Sequence, residues 1–400
     1  MDEKRPSLPA LTGLRFLAAL WVVLGHYCGW HPGLLPARFG AGVPLLLARN
    51  PDVPVSLFFV LSGFILVYAY AGLARSDSAA LWRYYLNRLA RLGPIYLVAL
   101  LIAAPPLLWQ AGSRALLHVA PAALSLTQSW WLVPGTLALV WDPPAWSLST
   151  EVGFYLLFPF LLPPLLHLNR RALCLIGLIC VAATILLPLL IVAYSTIHLT
   201  PYSSAYWSAR NVLLYNPLSR LPEFALGMVS GRLFLLLPHS MARVLPWGPW
   251  YAVWATLLVI GVAWGETLPD SIGEHGVLAP LFALLIVGLA AGGGRLGLLL
   301  GSRAMVLLGE ASYALYLLHY PIRDWLVHFG LLEASGWQGW AEGAAYLTLT
   351  VAAAMAAHLT VERPARAAIR GLARGRQRPA RTFDASSPVQ DRQRPQQETQ

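Results

Sequence analysis

Long apolar segments recur along the chain from residue 12 to residue 361, and only short polar stretches separate them. Each segment is close to the roughly 20 residues that an α-helix needs to cross the hydrocarbon core of a bilayer. The pattern therefore predicts an all-α, polytopic bundle of about ten spans, at 12–30, 54–73, 94–112, 151–167, 172–194, 214–237, 247–265, 276–292, 305–328 and 341–361. No interruption is long enough for a soluble domain, so residues 1–363 are interpreted as one integral membrane domain.

Composition supports this class of protein. Of the 400 residues, 57% are hydrophobic and only 12% are charged, whereas about 25% are charged in soluble domains. The three cysteines, Cys28, Cys174 and Cys180, all lie in apolar runs. An odd number at these spacings predicts neither a disulfide framework nor a zinc site, and no other metal-spaced cluster appears.

The loops between the spans carry very different amounts of positive charge. One alternating set contains Lys4, Arg5, Arg75, Arg83, Arg88, Arg91, Arg170, Arg171, Arg243, Arg295, Arg303 and the tail, whereas the other contains only Arg38, Arg49, Arg114 and Arg210. Short cytoplasmic loops collect Lys and Arg, so the first set is predicted to be inside. With an even number of spans, both termini are cytoplasmic, and the chain is a multi-pass protein of the plasma or inner membrane.

The segment after the last span is strongly basic. Seven arginines occur between Arg363 and Arg381, and they account for much of the net charge of +10. We interpret 364–400 as a basic juxtamembrane segment followed by a Gln-, Pro- and Ser-rich disordered tail. Anionic lipid headgroups are the predicted partner of these charges, and nucleic acid is not.

The first span contains two polar residues that lipid disfavours, Arg15 and His26. Eleven positions separate them, and at about 100° per residue this spacing places both on one helical face, about 16 Å apart along the axis. Arg15 could extend to the cytoplasmic surface, or it could face a polar interior. His26 lies deeper; it is either a hydrogen-bonded core histidine or, as a neutral imidazole, a general base.

Two further segments combine small or basic residues within apolar sequence. Ser62 and Gly63 lie inside the second span, where a small pair allows close helix packing. Arg88 and Arg91 are three residues apart, which places both guanidinium groups on one helical face at the cytoplasmic end of the third span. Such a pair can hold phosphates, although basic residues are also expected there for topology alone.

The stretch PPAWSLSTEVGFYLLFP, residues 143–159, places a carboxylate at the external start of a span. Glu151 follows Trp146 and Ser149, and Tyr155 comes one turn later. Carboxylates and hydroxyls at a helix N-terminus are often purely structural. The predicted topology nevertheless puts Glu151 in the same external half of the membrane as His26.

Polar residues also repeat along one face of a later span. Ser312, Tyr316 and His319 follow i, i+4, i+7 spacing, which aligns them along a helix. The preferred interpretation is a seam of hydrogen bonds between helices, and a substrate site is the alternative.

Taken together, these segments resemble the acyltransferase family 3 of integral membrane proteins, which includes O-antigen, exopolysaccharide and macrolide O-acyltransferases. The resemblance covers most of residues 8–364, in the order Arg15-x10-His26, FFVLSGF (58–64), RLARLGPIY (88–96), WSLSTE (146–151), FALGMVSGR (224–232) and LGEASYALYLLHYPI (308–322). The order and spacing of these motifs are more specific than any one of them.

The resemblance implies transfer of an acyl group, most simply acetyl, from cytoplasmic acyl-CoA to a hydroxyl of a saccharide or glycosylated acceptor. It implies that His26 is catalytic, with Arg15 and Glu151 in support, and that Arg88 and Arg91 contact the phosphates of CoA. The residues expected on the acceptor side are Ser62, Trp146, Ser149, Tyr155 and His319. Acyl-CoA is consumed as a donor substrate, and no bound cofactor is expected.

Two questions stay open on the sequence alone. Many helices with buried charge also describe a transporter or flippase, although the chain lacks the internal repeat that such proteins often show. Direct attack by the acceptor and a covalent acyl-histidine relay are both compatible with His26. The sequence does not predict the oligomeric state.

Overall fold

A computed structural model describes residues 5–31, 51–73, 78–131, 137–200, 203, 205–206, 209, 214–238, 276–333 and 336–375. The described residues form helices and contain no strand, so the predicted all-α class is confirmed. The helices are α1 (Pro9–Trp30), α2 (Val53–Tyr70), α3 (Ser78–Leu124), α4 (Trp146–His167), α5 (Arg170–His198), α6 (Pro217–Leu236), α7 (Ala279–Ala290), α8 (Gly294–Leu300), α9 (Arg303–His328), α10 (Gly336–Ala357) and α11 (Arg363–Gly375). A π-helical turn, His358–Glu362, joins α10 to α11.

Within the described part of the chain, six helical segments are long and apolar enough to cross a membrane, and α7 with α8 make a seventh if this pair, bent by 84°, is one span. The chain is thus a membrane protein with several spans. The predicted spans 214–237 and 305–328 are helical, as α6 and α9, but these helices are less apolar than the others. The predicted span 247–265 lies outside the described residues, and ten spans stay a prediction.

Two observed boundaries differ from the predicted ones in ways that affect the site. Helix α3 starts at Ser78, well before the predicted span at 94–112, so Arg88 and Arg91 belong to a continuous helix. Helix α4 starts at Trp146, with no side chain capping its N-terminus, so Glu151 lies inside the helix and not at its start. A Pro-rich 3-10 turn, Pro143–Ala145, leads directly into α4 and takes the position that the cap was expected to hold.

Helices α2 and α6 approach each other at backbone distance. A Cβ atom on Gly63 would lie 2.1 Å from the carbonyl oxygen of Phe224, and one on Gly227 would lie 2.0 Å from the carbonyl oxygen of Val60. Only glycine fits at both positions, which confirms close packing at Gly63. The adjacent Ser62 is thereby directed toward the other side of α2, where α4 passes.

Helix α9 lies at the centre of the bundle and contacts α1, α3 and α10. Its residues from Ala311 to His319 are all buried. It packs closely on α1, since a Cβ on Gly309 would lie 2.0 Å from the carbonyl oxygen of Thr12. Because α1 and α9 are held together along their length, polar side chains on their facing sides meet inside the protein.

Candidate functional site

A pocket of about 320 Å³ opens between α1, α2, α3, α4 and α9. The N-terminal segment Pro6–Leu8 and Tyr68 form one end of its wall, and Tyr316 and Ser147 belong to the other. The predicted site residues that line it are Arg15, Ser62, Arg88, Arg91, Glu151 and Tyr155. Six residues from four helices, chosen on sequence patterns alone, therefore share one cavity.

Three guanidinium groups dominate the charge of this pocket. Arg88 donates a hydrogen bond from Nη2 to the hydroxyl of Tyr70, at 3.1 Å. Its guanidinium carbon also lies over the rings of Tyr70 and Tyr155, 5.3 and 5.4 Å from their centroids. Aromatic faces stabilise a cation without neutralising it. The Nε donor of Arg88 is buried and has no hydrogen-bond partner among the described residues, so a bound anion can still engage this side chain.

Arg15 and Arg91 complete the positive cluster. The two guanidinium groups interact electrostatically with each other, and Arg15 also interacts with Glu151. Like charges at close range repel, and the repulsion is strong where little water screens it. A pocket with three arginines and one lining carboxylate is thus suited to an anionic ligand such as a phosphate.

Glu151 is fixed by two hydroxyl groups. Ser62 donates a hydrogen bond to its Oε1 at 2.9 Å, and Tyr155 donates another at 2.5 Å. The sequence pattern suggested that Glu151 would assist His26. The structure gives Glu151 its partners in the arginine-lined pocket, and His26 does not line that pocket.

A second polar region lies on the other side of Tyr316, and it contains the histidines. Nδ1 of His26 is 3.2 Å from Nε2 of His319, and the two rings stack with centroids 5.2 Å apart. His319 is fully buried, and its Nδ1 is 2.6 Å from the backbone carbonyl oxygen of Tyr316. The histidine pair is thus defined by His26 on α1 and His319 on α9.

The hydrogen bonds of the histidine pair determine its tautomers. A carbonyl oxygen only accepts, so Nδ1 of His319 carries a proton and Nε2 of the neutral ring has a lone pair. That lone pair accepts from Nδ1 of His26, which leaves Nε2 of His26 unprotonated. The free nitrogen is the atom that a general base needs, and His319 holds the ring in that state.

Aromatic rings surround the histidine pair. Trp30 stacks on His26 with centroids 5.8 Å apart, and Tyr320 meets His26 edge-on at 5.0 Å. The guanidinium of Arg323 lies over the other end of this cluster, 4.7 Å from the ring of Trp30. Stacked aromatic faces of this kind suit the apolar face of a sugar ring or an acyl group better than they suit an anion.

Tyr316 connects the two regions. Its hydroxyl lines the pocket, 2.8 Å from the hydroxyl of Ser147 on α4, whereas its carbonyl oxygen binds His319 one turn later. The seam predicted along α9 therefore forms at Tyr316 and at His319. Ser312 does not take part, because its hydroxyl bonds to the Gly309 carbonyl of its own helix.

The two remaining predicted residues, Trp146 and Ser149, do not line the pocket. Ser149 is fully buried, and its hydroxyl accepts hydrogen bonds from the backbone and side chain of Ser129. Trp146 packs against Tyr215, with centroids 4.9 Å apart, and beneath the guanidinium of Arg220. Both residues anchor the start of α4, which in turn positions Glu151.

The sequence analysis missed a buried ion pair in α6. Arg220 and Glu223 are 0% and 2% exposed, their charged atoms are 2.8 Å apart, and Glu223 also accepts from the backbone N–H of Gly276. An Arg and a Glu three residues apart inside an apolar stretch were the available signal. Tyr70 and Tyr313 carried no comparable signal, because tyrosines are common throughout the spans. Among the described residues no group of three or more ligating side chains could hold a metal ion.

The fold and the site define a helical membrane protein with an anion-binding pocket next to a histidine pair. Residues 8–359 match the family model of the acyltransferase domain, acyltransferase family 3, and the chain belongs to this family. The resemblance seen in the motifs is confirmed, and the protein is an acyltransferase.

Two relatives illustrate the range of the family. The chain is 31% identical to acyltransferase MdmB of Streptomyces mycarofaciens over 429 aligned positions, which cover 98% of each protein. It is 26% identical to the O-acetyltransferase OatA of Staphylococcus aureus over 344 positions, which cover 79% of this chain and 50% of OatA. The chain thus matches about half of the length of OatA. No solved structure gives a significant match.

Proposed function

We propose that the protein transfers an acyl group, most simply acetyl, from cytoplasmic acyl-CoA to a hydroxyl of a saccharide or glycosylated acceptor. The observation that carries this proposal is the continuity between the arginine-lined pocket and the histidine pair through Tyr316. The names of the relatives support acyl transfer to oxygen, since OatA is an O-acetyltransferase.

In this proposal the pocket holds the donor. Arg88 and Arg91 bind phosphate oxygens of acyl-CoA, because guanidinium forks match phosphate geometry. Arg15 adds positive charge one helix away. Glu151, fixed by Ser62 and Tyr155, keeps the guanidinium groups from repelling one another when no donor is bound. Acyl-CoA is a substrate in this scheme and leaves as CoA after each turnover.

The histidine pair performs the proton transfer. Nε2 of His26 removes the proton from the acceptor hydroxyl while the oxygen attacks the carbonyl carbon of the thioester. The C–S bond breaks, the acyl group stays on the acceptor oxygen, and the proton passes from His26 to the departing CoA thiolate. The positive charge that forms on His26 is stabilised through Nδ1 by Nε2 of His319. His319 therefore takes the supporting role that the sequence analysis gave to Glu151.

The acceptor is proposed to meet the histidine pair from the external side of the membrane, against the rings of Trp30 and Tyr320. Trp146 and Ser149 act on this side only through the packing of α4. The proposed topology has about ten spans in the plasma or inner membrane and both termini in the cytoplasm. The membrane domain is 1–363, and the basic segment 364–400 lies at the cytoplasmic surface beside lipid headgroups.

The test is acyl transfer by the purified protein in nanodiscs, supplied with labelled acetyl-CoA and a panel of saccharide and glycosylated acceptors. Protein-dependent label in the acceptor supports the proposal. Passage of the acceptor across a vesicle membrane without acylation contradicts it and supports the transporter alternative. Stopped turnover would also show label on His26 if the covalent relay operates in place of direct attack.

A further inference from the structure

A chain of charged side chains links α9, the π turn and α11. His358 lies between two carboxylates, with Nδ1 2.8 Å from Oε2 of Glu362 and Nε2 3.4 Å from Oε2 of Glu310. Glu362 also accepts a hydrogen bond from Nη2 of Arg366. The last three residues are spaced four apart, so the π turn and α11 present them on one side. π-helical turns are rare and occur frequently at functional sites.

The inward position of Arg366 is unusual for its helix. Arg363 and Arg370 are exposed on α11, as expected for a juxtamembrane helix, whereas Arg366 is half-buried on the side that packs against α3. A guanidinium turned toward the protein costs free energy unless all its donors are satisfied. Glu362 satisfies one of its nitrogens, but its buried Nε has no hydrogen-bond partner in the part of the chain that the structure describes.

Arg366 lies beside the wall of the donor pocket. It interacts electrostatically with Arg91 and with Tyr313, which both line that pocket. Arg15 in turn interacts with both Arg366 and Glu362. The positive cluster therefore continues from the pocket into α11, and its like charges would be brought together by a bound anion that spans them.

The size of the pocket indicates which part of the donor lies there. Its volume is about 320 Å³, at the lower end of the roughly 300–1,000 Å³ found for pockets that hold drug-sized ligands. An acyl-CoA, with its pantetheine arm, pyrophosphate and phosphorylated nucleoside, is larger than such a ligand. The acyl group and the pantetheine arm occupy the pocket, so the nucleotide end must extend beyond its rim.

We infer that Arg366, held by Glu362 and His358, binds a phosphate at the nucleotide end of acyl-CoA, so that α11 is part of the donor site. This inference rests on the proposed function. Residues 363–375 lie beyond the matched family region, which ends at 359. The assignment thus extends the donor site into the segment that the sequence suggested was only a topology signal.

The experiment compares two donors, acetyl-CoA and S-acetylpantetheine, which carries the same thioester without the nucleotide. Arg366→Ala is expected to raise the KM for acetyl-CoA about tenfold or more, as loss of a charge-assisted phosphate contact does, with kcat nearly unchanged. The kinetics with S-acetylpantetheine should not change. Arg363→Ala and Arg370→Ala remove the same charge from exposed positions of the same helix, and neither should alter the KM.

Several results would overturn the inference. Equal losses with both donors would make Arg366 a structural residue only, and an unchanged KM would remove it from the donor site. A defect that appears only in nanodiscs with anionic lipid would assign its phosphate to a headgroup. Competitive inhibition by adenosine 3′,5′-bisphosphate gives a second measure of the same contact, and Arg366→Gln serves if the Ala variant does not fold. Failure of the unmodified protein to use acetyl-CoA would instead overturn the proposed function itself.

Discussion

The donor pocket and the histidine pair differ in how they handle charge. The pocket contains three arginines and a carboxylate, with tyrosine rings and hydroxyls around them. The histidine pair contains neutral imidazoles held by a backbone carbonyl and surrounded by aromatic rings. A fixed charge is suited to holding a phosphate, whereas a neutral base is suited to accepting a proton. The protein thus separates donor binding from proton transfer along α1 and α9.

The largest expected effect concerns the base. His26→Ala should lower kcat on the order of 10²–10⁴-fold, because no other group is positioned to take the acceptor proton, while acyl-CoA binding persists. The measurement is acyl transfer in nanodiscs with each substrate titrated separately. His328→Ala, at the other end of α9 and stacked on Trp109, is the control and should retain activity. Full activity in His26→Ala would remove the central assignment.

The donor end should respond in KM and not in kcat. Arg88→Ala combined with Arg91→Ala should raise the KM for acyl-CoA by a factor on the order of 10–100, while the KM for the acceptor changes little. Arg88→Lys should recover only part of the loss, since an ammonium lacks the planar fork. Arg83→Ala, an exposed arginine on the same helix, is the matched control. An unchanged KM in the double variant would reduce the pair to topology markers.

His319 lies at the boundary of the two regions, and its role is positional. His319→Ala removes the acceptor for Nδ1 of His26, so the tautomer of His26 is no longer fixed, and kcat should fall on the order of 10–100-fold. His319→Gln supplies a side-chain oxygen that can accept the same hydrogen bond, and it should restore part of the rate. Both variants are assayed with saturating donor, so that a change in KM is separated from a change in kcat. Identical losses in both would indicate a packing role.

The sequence predicted the helices well and their boundaries less well. Apolar runs located α1, α2, α4 and α5, because twenty-residue hydrophobicity is set by composition alone. The start of α3 at Ser78 was missed because it contains several charges and aromatic residues that a hydropathy window penalises. The cap expected at Glu151 failed for a different reason: the Pro-rich turn before Trp146 starts the helix earlier.

The site shows the same division between local and long-range information. Spacing placed Arg88 with Arg91, and it placed Tyr316 with His319, because each pair lies on one helix face. The contact between His26 and His319 spans 293 positions, and no periodicity predicts which helices are neighbours. The partner of Glu151 was for the same reason assigned to the wrong region. The inward turn of Arg366 likewise depends on α3 and α9, which sequence spacing does not bring together.

A stability prediction tests the contact that fixes one wall of the pocket. Gly63→Ala would place a Cβ 2.1 Å from the Phe224 carbonyl oxygen, and separating α2 from α6 should cost about 1–3 kcal/mol. Gly93→Ala is the matched control, because its nearest neighbour is a side-chain atom of Leu89 at 3.5 Å. Alanine also favours helix, so this control should be neutral or slightly stabilising. Thermal unfolding in detergent measures both, and equal melting temperatures would contradict the packing argument.

The smallest expected effect distinguishes α11 from the sequence that follows it. Removal of residues 382–400 should leave activity, donor KM and membrane yield nearly unchanged, because that segment has no apolar face and a disordered composition. Removal of 363–400 also deletes Arg366 and the helix packed against α3. It should raise the KM for acyl-CoA and lower the yield of inserted protein, since the arginines after the last span also fix its orientation. Fluorescence-detected gel filtration reports the yield, and kinetics on the inserted fraction report the KM. Loss of turnover in well-inserted protein that lacks only 382–400 would show that the distal tail contributes to the site, and the donor end would then have to be extended beyond α11.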